Sequence, residues 1–465
     1  MWGAPKILRK RPVNSLASSN SRSLTARRSD PASSPPSASI VYVTNVPFSR
    51  RDYERYGIAW WRSQGYHVHV LDVGPFVIPT RRADWDSVIY RDDTFSLEIL
   101  DTPQEFRARR ALLNCASLIV DLTTAHGHSR YNLPVLRAIA ASGAPHLVLS
   151  VNAYPGYDLP IGAASEGRAR LRLLLQRLKA ADPLNSIVAR LPFRWFGVKP
   201  ATAVVCGGRR SRRPISTVTD ETVVIDGHHM DFDIFLDRRA ENTEGGYAVF
   251  IDQGLGAHRE FVNNTAFRPI DVDRYYKLLA ALFERIEKRT GLEVVIARHP
   301  HSVSDVLQHH MPDRKITAGR TAELIEGSSL VVAHNSAALT MAILNGKPLL
   351  LIFSKDYIDS SPWNPVCHYP LADALGRQVL YLEDLDRLSD NELFRDLTSG
   401  FDAFITDFVT SDRSRTEKLW PLVEHQLRGH GILAPAVCER AGGAPPEIGT
   451  SRDDGMNNRS DPVSR

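Results

Sequence analysis

Two short polar motifs in the second half of the chain each follow a predicted strand. Arg298-His299-Pro300 comes after the apolar residues 293–297, and His334-Asn335-Ser336 comes after residues 330–333. Arginine offers a planar fork that matches phosphate oxygens, and histidine can donate a hydrogen bond or a proton. Small residues at a helix start let a phosphate approach backbone N–H groups. Either motif alone is also typical of an exposed loop or a helix cap, but together they predict a phosphate site.

A polar cluster lies near the middle of the chain, over residues 226–233. It contains two histidines and three aspartates, but the spacing matches no standard metal site, so we predict no metal there. An acidic or imidazole side chain could instead act as general base toward an acceptor hydroxyl. Asp231, His229 and Asp233 are the candidates, and the sequence does not choose among them. An ordinary polar interdomain loop is the competing interpretation.

Short apolar strands alternate with helical patterns over most of the chain, which indicates parallel sheets. Predicted strands cover residues 40–46, 66–73, 117–122, 146–151, 203–206, 222–225, 247–251, 293–297, 330–333, 348–353 and 378–381. Predicted helices cover residues 53–64, 134–142, 166–181, 272–289, 321–326 and 337–345, and two closing helices fall within 389–428. The Ser389–Glu392 spacing predicts a capping box.

This rhythm predicts an α/β fold of two Rossmann-like doubly wound domains that face a cleft. We expect a disordered leader over residues 1–38, an N-terminal domain over 39–225, a C-terminal domain with the closing helices over 226–435, and a disordered tail over 436–465. Ligands of such sheets bind outside the carboxyl ends of the strands, where both phosphate motifs fall.

Composition excludes several classes of protein. The net charge is +4, and the leader holds seven basic residues against one acid, so the body is near neutral and no nucleic-acid binder is indicated. The basic run at residues 209–213 is a local exception. The four cysteines are far apart and suggest neither a zinc site nor disulfides, which fits a cytoplasmic protein. No apolar run approaches the roughly 20 residues that span a bilayer.

The leader lacks the apolar stretch of a secretory signal. Its Ser-, Arg- and Pro-rich composition resembles an organellar transit peptide, while a disordered tail or an early start codon would give the same composition.

The order of motifs around the phosphate residues resembles a known family. Arg298-His299-Pro300, residues 321–325, residues 334–339 and Gly346-Lys347-Pro348 resemble the C-terminal domain of bacterial surface-polysaccharide glycosyltransferases of GT-B architecture. Capsule-biosynthesis and sialyltransferase-like proteins share this layout, and the resemblance covers residues 245–355. One departure is that residues 339–341 lack the glutamate with which many GT-B enzymes grip the nucleotide ribose.

The resemblance implies roles for individual residues. His299 and Ser336 would contact the nucleotide phosphate, in a donor phosphate site comprising Arg298, His299, His334, Asn335 and Ser336. The loop with Gln253, Gly254 and Gly256 would face the donor, although a tight turn also explains its glycines. Asn45, Arg50 and His126 would face the acceptor, although a solvated surface also explains such residues.

The expected function is therefore transfer of a sugar from a nucleotide-sugar donor to a saccharide or lipid-linked saccharide acceptor in surface polysaccharide biosynthesis. No cofactor beyond the nucleotide-sugar co-substrate is expected, and the location would be cytoplasmic, with possible peripheral association at the inner face of the membrane. A sugar-nucleotide epimerase, a phosphoalcohol transferase of the same fold, and a catalytically silent nucleotide-sugar-binding subunit are the alternatives.

Overall fold

Two parallel β-sheets organise the chain. The computed structural model describes residues 38–78, 89–124, 127–152, 155, 182–238, 245–255, 270–299, 306–360 and 364–434. The predicted tail and all of the predicted leader except Ala38 lie outside these ranges, as does the predicted helix over 166–181.

The first sheet has seven strands in the order β3-β2-β1-β4-β5-β6-β7, all parallel. They are β1 (Ser39–Thr44), β2 (His67–Asp72), β3 (Ser96–Ile99), β4 (Leu118–Asp121), β5 (His146–Ser150), β6 (Ala203–Cys206) and β7 (Val223–Asp226). The order reverses between β1 and β4, which is the topological switch point of a doubly wound sheet.

The second sheet repeats this pattern with six parallel strands in the order β10-β9-β8-β11-β12-β13. They are β8 (Tyr247–Ile251), β9 (Glu293–Arg298), β10 (Ile316–Ala318), β11 (Leu330–Ala333), β12 (Leu349–Phe353) and β13 (Leu380–Tyr381). The predicted α/β class, with two Rossmann-like doubly wound sheets, is confirmed.

Helices connect the strands in both halves. In the first half they are α1 (Arg50–Arg55), α2 (Ile58–Ser63), α3 (Gly74–Val77), α4 (Pro103–Ala108), α5 (Arg110–Asn114), α6 (Leu133–Ser142), α7 (Pro183–Val188) and the 3₁₀ turn Phe193–Phe196. In the second half they are α8 (Met230–Arg238), α9 (Val272–Thr290), α10 (Val306–His310), α11 (Thr321–Gly327), α12 (Leu339–Leu344), α13 (Lys355–Ser360), α14 (Asn364–Ala374), the 3₁₀ turn Leu382–Arg387, α15 (Asp390–Leu393), α16 (Phe401–Phe404), the π turn Ile405–Val409 and α17 (Leu419–Gly429).

The capping box predicted at Ser389 is confirmed. The Glu392 amide donates to the Ser389 hydroxyl at 3.3 Å, and the Ser389 amide donates to the Glu392 carboxylate at 2.8 Å. Strands β3 and β10 were not predicted. Both lie at sheet edges, are short, and bury none of their residues completely, so they lack the apolar run that marks the central strands.

The closing segment divides between the two cores. Phe401, Phe404 and Phe408 pack in the core of the second sheet, whereas α17 packs in the core of the first sheet. The chain therefore crosses from the first sheet to the second after β7 and crosses back before α17. The sequence assigned both closing helices to the C-terminal half, because an amphipathic pattern does not show which sheet a helix covers.

Contact between α17 and the first sheet centres on Trp420. Its indole lies 5.8 Å from that of Trp61, and its N–H donates to the backbone carbonyl of Arg55 at 2.7 Å. Gly57 separates α1 from α2, where one helix over 53–64 was predicted. It has φ +64, and a Cβ at this position would collide with the Trp420 ring. Glycine is thus required here by conformation and by packing.

Gly57→Ala should therefore destabilise the protein more than Gly65→Ala. Gly65 also has a positive φ, of 84, but a Cβ there would meet nothing within 4 Å. The control carries only the conformational cost, while overpacking against Trp420 adds about 1–3 kcal/mol. Urea unfolding of both variants measures the difference. Equal loss of unfolding free energy would show that the Gly57–Trp420 contact does not constrain the fold.

Candidate functional site at the carboxyl edges of the sheets

Both predicted phosphate motifs lie at one edge of the second sheet. Ile251 at the end of β8 is in register with Ala297 of β9 and with Ala333 of β11. The next residues along the three strands, Arg298, Asp252 and His334, are therefore neighbours at about 4.8 Å strand spacing. The sheet order reverses between β8 and β11, so this edge is the switch point at which ligands of such sheets bind.

Asp252 links two loops of this edge. Its carboxylate is buried and accepts from the Gly254 amide at 2.9 Å, and it also accepts from the His299 amide. Burial raises the pKa of this carboxyl group above its usual range. From the sequence this residue was predicted only as part of a glycine loop. An aspartate at a strand end two residues before a glycine is the local pattern of an Asx turn and would have been the signal.

His334 does not face the edge. Its side chain is wholly buried, its Nδ1 donates to the Ile352 carbonyl at 2.8 Å, and its Nε2 accepts from the Tyr275 hydroxyl at 2.8 Å. Burial lowers the pKa of His334 to about 4, so the ring is neutral at neutral pH. Because both ring nitrogens are used inside the core, the predicted phosphate contact of this side chain is corrected to a structural role.

Asn335 and Ser336 follow His334 and are half-buried. Helix α12 begins at Leu339, two residues later than predicted, and the Ala338 amide donates to the Ser336 hydroxyl at 3.3 Å. At the same edge, on the other side of β8, Arg298 at the end of β9 is exposed and His299 is half-buried. These four residues keep their predicted positions at the edge, and their phosphate contacts stay a prediction.

Gln253 is half-buried in the loop after β8, and Gly254 has φ +64, a conformation that favours glycine. Gly256 lies outside the described residues. The donor-facing role of this loop stays a prediction.

The three candidate bases are on the crossing between the sheets. Asp231 is buried, and its carboxylate accepts from the guanidinium of Arg55. Its amide donates to Nδ1 of His229 at 3.1 Å. Burial lowers the pKa of His229 to about 4. Asp231 is therefore held in a buried ion pair with Arg55, and the His229 ring is neutral at neutral pH.

Asp233 differs from these two. Its carboxylate accepts from the Leu419 amide at 3.0 Å, and a quarter of its side chain is exposed. Burial raises the pKa of Asp233 to about 6. The neighbouring His228 is wholly buried, and its Nε2 lies 3.3 Å from the Asp233 carboxylate. Asp233 therefore connects the segment that leaves the first sheet after β7 to Leu419, the first residue of α17.

The structure describes two of the three predicted acceptor residues, and their acceptor-facing role stays a prediction. Asn45 is half-buried after β1, Arg50 pairs with Glu54 at 3.1 Å on the surface of α1, and His126 lies outside the described residues. The next turn of the same helix carries Arg55, which was not predicted as a site residue. Arg55 follows Arg51 by four residues, and this spacing, which places both on one helix face, was the available signal in the sequence.

No group of three or more metal-ligating side chains occurs among the residues that the structure describes. Within the same residues, no helix has both the length and the apolar composition needed to cross a membrane.

Neutral buried histidines make stability depend on pH. The unfolded state takes up protons near pH 6.5, whereas folded His334 does so only near pH 4, so stability is lost as pH falls through that window. His334→Gln keeps a donor and an acceptor but cannot be protonated. Its unfolding free energy should depend less steeply on pH between 6.5 and 4, by up to about 1.4 kcal/mol per pH unit. The exposed His425 supplies the control, because His425→Gln should leave the slope unchanged. An unaltered slope in His334→Gln would refute the buried neutral state.

Comparisons with known proteins give likenesses of fold. No protein-family model matches the chain, and no curated protein sequence matches it. Among solved structures, the chain is similar to the spinosyn forosaminyltransferase SpnP, with 13% identity, 85% of this chain and 100% of that chain covered, and a TM-score of 0.45. It is similar to MurG of Acinetobacter baumannii, with 11% identity, 84% and 98% covered, and a TM-score of 0.43. It is also similar to the wall teichoic acid polymerase TagF, with 12% identity, 85% and 88% covered, and a TM-score of 0.45.

Proposed function

We propose that the protein is a glycosyltransferase of GT-B architecture that moves a sugar from a nucleotide-sugar donor to a saccharide acceptor. The observation that supports this most is the register of the second sheet. It brings Arg298 and His299 beside the loop after β8, and the loop after β11 lies on the other side of β8, at the switch point of a doubly wound sheet. The motifs selected from the sequence for phosphate chemistry thus share one edge.

Transfer of a sugar requires neutralisation of the charge that develops on the departing nucleotide phosphate. Arg298 supplies a permanent positive charge and a fork of donors, and it is exposed at the edge. Asp252 accepts the His299 amide and so fixes the backbone from which the imidazole projects. In the proposed reaction His299 and Ser336 contact the donor phosphates, and no metal ion is required.

The acceptor hydroxyl needs a base that is unprotonated near neutral pH. His229 is a weak base because its pKa is about 4, and Asp231 is held by Arg55. Asp233 has a pKa of about 6 and a partly exposed side chain, so we assign it the role of base. As pH falls through 6 the carboxylate is protonated and can no longer accept the proton, so turnover should fall.

We further propose that the sugar is added to a surface polysaccharide on a membrane-bound acceptor. A patch of exposed apolar side chains supports this part of the proposal. Of the five large apolar side chains that are exposed among the described residues, Leu184, Ile187 and Trp195 lie within 12 residues of one another. Trp195 is 73% exposed, and the exposed cations Arg190 and Lys199 flank the patch. Tryptophan with neighbouring cations is typical of proteins that lie on anionic membranes. We therefore propose peripheral association at the inner face of the cytoplasmic membrane.

His299→Ala should abolish sugar transfer while leaving the melting temperature nearly unchanged. The assay incubates the protein with CMP-, UDP- and GDP-sugars, with and without saccharide acceptors. Ser336→Ala should act mainly by weakening donor affinity. Asp233→Asn keeps an acceptor for the Leu419 amide, so donor affinity should be unchanged. Turnover should be strongly reduced, and the residual turnover should no longer decrease below pH 6.

Other outcomes of this assay would contradict the proposal. Undiminished transfer by His299→Ala would remove the phosphate assignment. Conversion of the donor without any acceptor would indicate an epimerase. Transfer of a phosphoalcohol would indicate a phosphoalcohol transferase, and nucleotide binding without turnover would indicate a silent subunit. Arg289→Gln is the matched control, because Arg289 is an exposed residue at the end of α9, close to the start of β9 and away from the carboxyl edge.

Trp195→Ser should reduce sedimentation of the protein with vesicles that contain anionic phosphatidylglycerol. The exposed indole contributes apolar area to the interface, and its loss should weaken partition severalfold. Val46→Ser is the control, because Val46 is also exposed but follows β1, outside residues 184–199. Equal sedimentation of both variants and the wild type, or no sedimentation of the wild type, would refute membrane association through this surface.

A further inference from the structure

Three arginines meet around His229 at the carboxyl edge of the first sheet. Arg51 and Arg55 lie one turn apart on α1, which follows β1. Arg213 lies on the segment that joins β6 to β7. All three act electrostatically on the His229 ring, which follows β7. Three separate elements therefore bring positive charge to one place.

Direct contacts connect these elements. Arg55 donates to the Asp231 carboxylate, and the guanidinium of Arg213 donates to the backbone carbonyl of Asn152. The Asn152 side-chain oxygen in turn accepts from the Met230 amide at 3.4 Å. The arginines are thus fixed in position around residues 229–231 rather than spread over a solvated surface.

Two carboxylates lie near the two arginines of α1. Asp231 pairs with Arg55, and Asp52 is committed to the capping box of α1 with Ser49.

Two donor groups of α1 are unpaired among the residues that the structure describes. Arg51 is exposed and makes no ion pair with any of these residues. The Nε of Arg55 is buried and has no hydrogen-bond partner in the same ranges. A buried donor without a partner is unfavourable, and an anion held beside these two arginines would supply one.

We infer that Arg51, Arg55 and Arg213 form a subsite for an oxyanion carried by the acceptor, either a phosphate or a sugar carboxylate. Guanidinium groups bind both groups through paired N–H donors. The inference rests on the proposed function, because it takes the first sheet as the acceptor side. It adds that the acceptor is anionic, and it separates this subsite from the donor phosphate site, which belongs to the second sheet.

The test measures binding of small probes without any nucleotide. An Arg298→Ala, His299→Ala background removes the proposed donor phosphate contacts, so that remaining anion binding reports on the first sheet. Glucose 6-phosphate, glucuronate and glucose are titrated by calorimetry into this protein. We expect one of the two anionic sugars to bind and glucose not to bind, and the tighter anion identifies phosphate or carboxylate as the recognised group.

Arg51→Gln in the same background should weaken binding of the anionic sugar about tenfold, the loss of one charge-assisted contact. Arg51→Lys retains the charge but not the fork and should give an intermediate loss. Arg62→Gln is the matched control and should not change affinity, because Arg62 is exposed on α2 close to the start of β2, away from the carboxyl edge. Failure of both anionic sugars to bind, or equal affinities of Arg51→Gln and Arg62→Gln, would overturn the inference. Neither result depends on sugar transfer, so this failure is distinct from that of the proposed function.

Discussion

Packing of α17 against the first sheet is the constraint on which the rest of the structure depends. Because Trp420 of α17 packs against Gly57, the chain must leave the first sheet after β7 and return to it from the second sheet. The two crossings contact each other directly, because the His229 amide donates to the Val409 carbonyl at 2.7 Å and Asp233 accepts from the Leu419 amide. This double crossing fixes the polar residues 228–233 between two cores.

Burial of these polar residues determines their chemistry. His228 and His229 lose their positive charge because burial disfavours a charged imidazole, and burial also raises the pKa of Asp233 to about 6 although a quarter of its side chain is exposed. Asp231 is paired with Arg55. The segment that connects the two sheets therefore also carries a candidate base and one side of the arginine cluster.

The fold could be predicted from the sequence because buried parallel strands are continuous apolar runs, as β8 and β11 illustrate. The candidate site could be predicted only where it is local. Arg298, His299 and Ser336 are recognisable because each follows such a strand. The burial of His334 could not be predicted, since it depends on Tyr275 and Ile352 from other elements. Likewise Arg55 contacts Asp231, 176 positions away, so nothing near either residue marks the pair.

The claim that donor phosphates bind at the switch point of the second sheet can be tested most directly by amide hydrogen exchange. The exchange would be followed with and without CMP-, UDP- and GDP-sugars. We expect one of them to slow exchange in residues 252–254, 298–299 and 335–338, while exchange at the strand ends of the first sheet changes less. A nucleotide sugar that binds but protects only residues outside these three loops would contradict this claim.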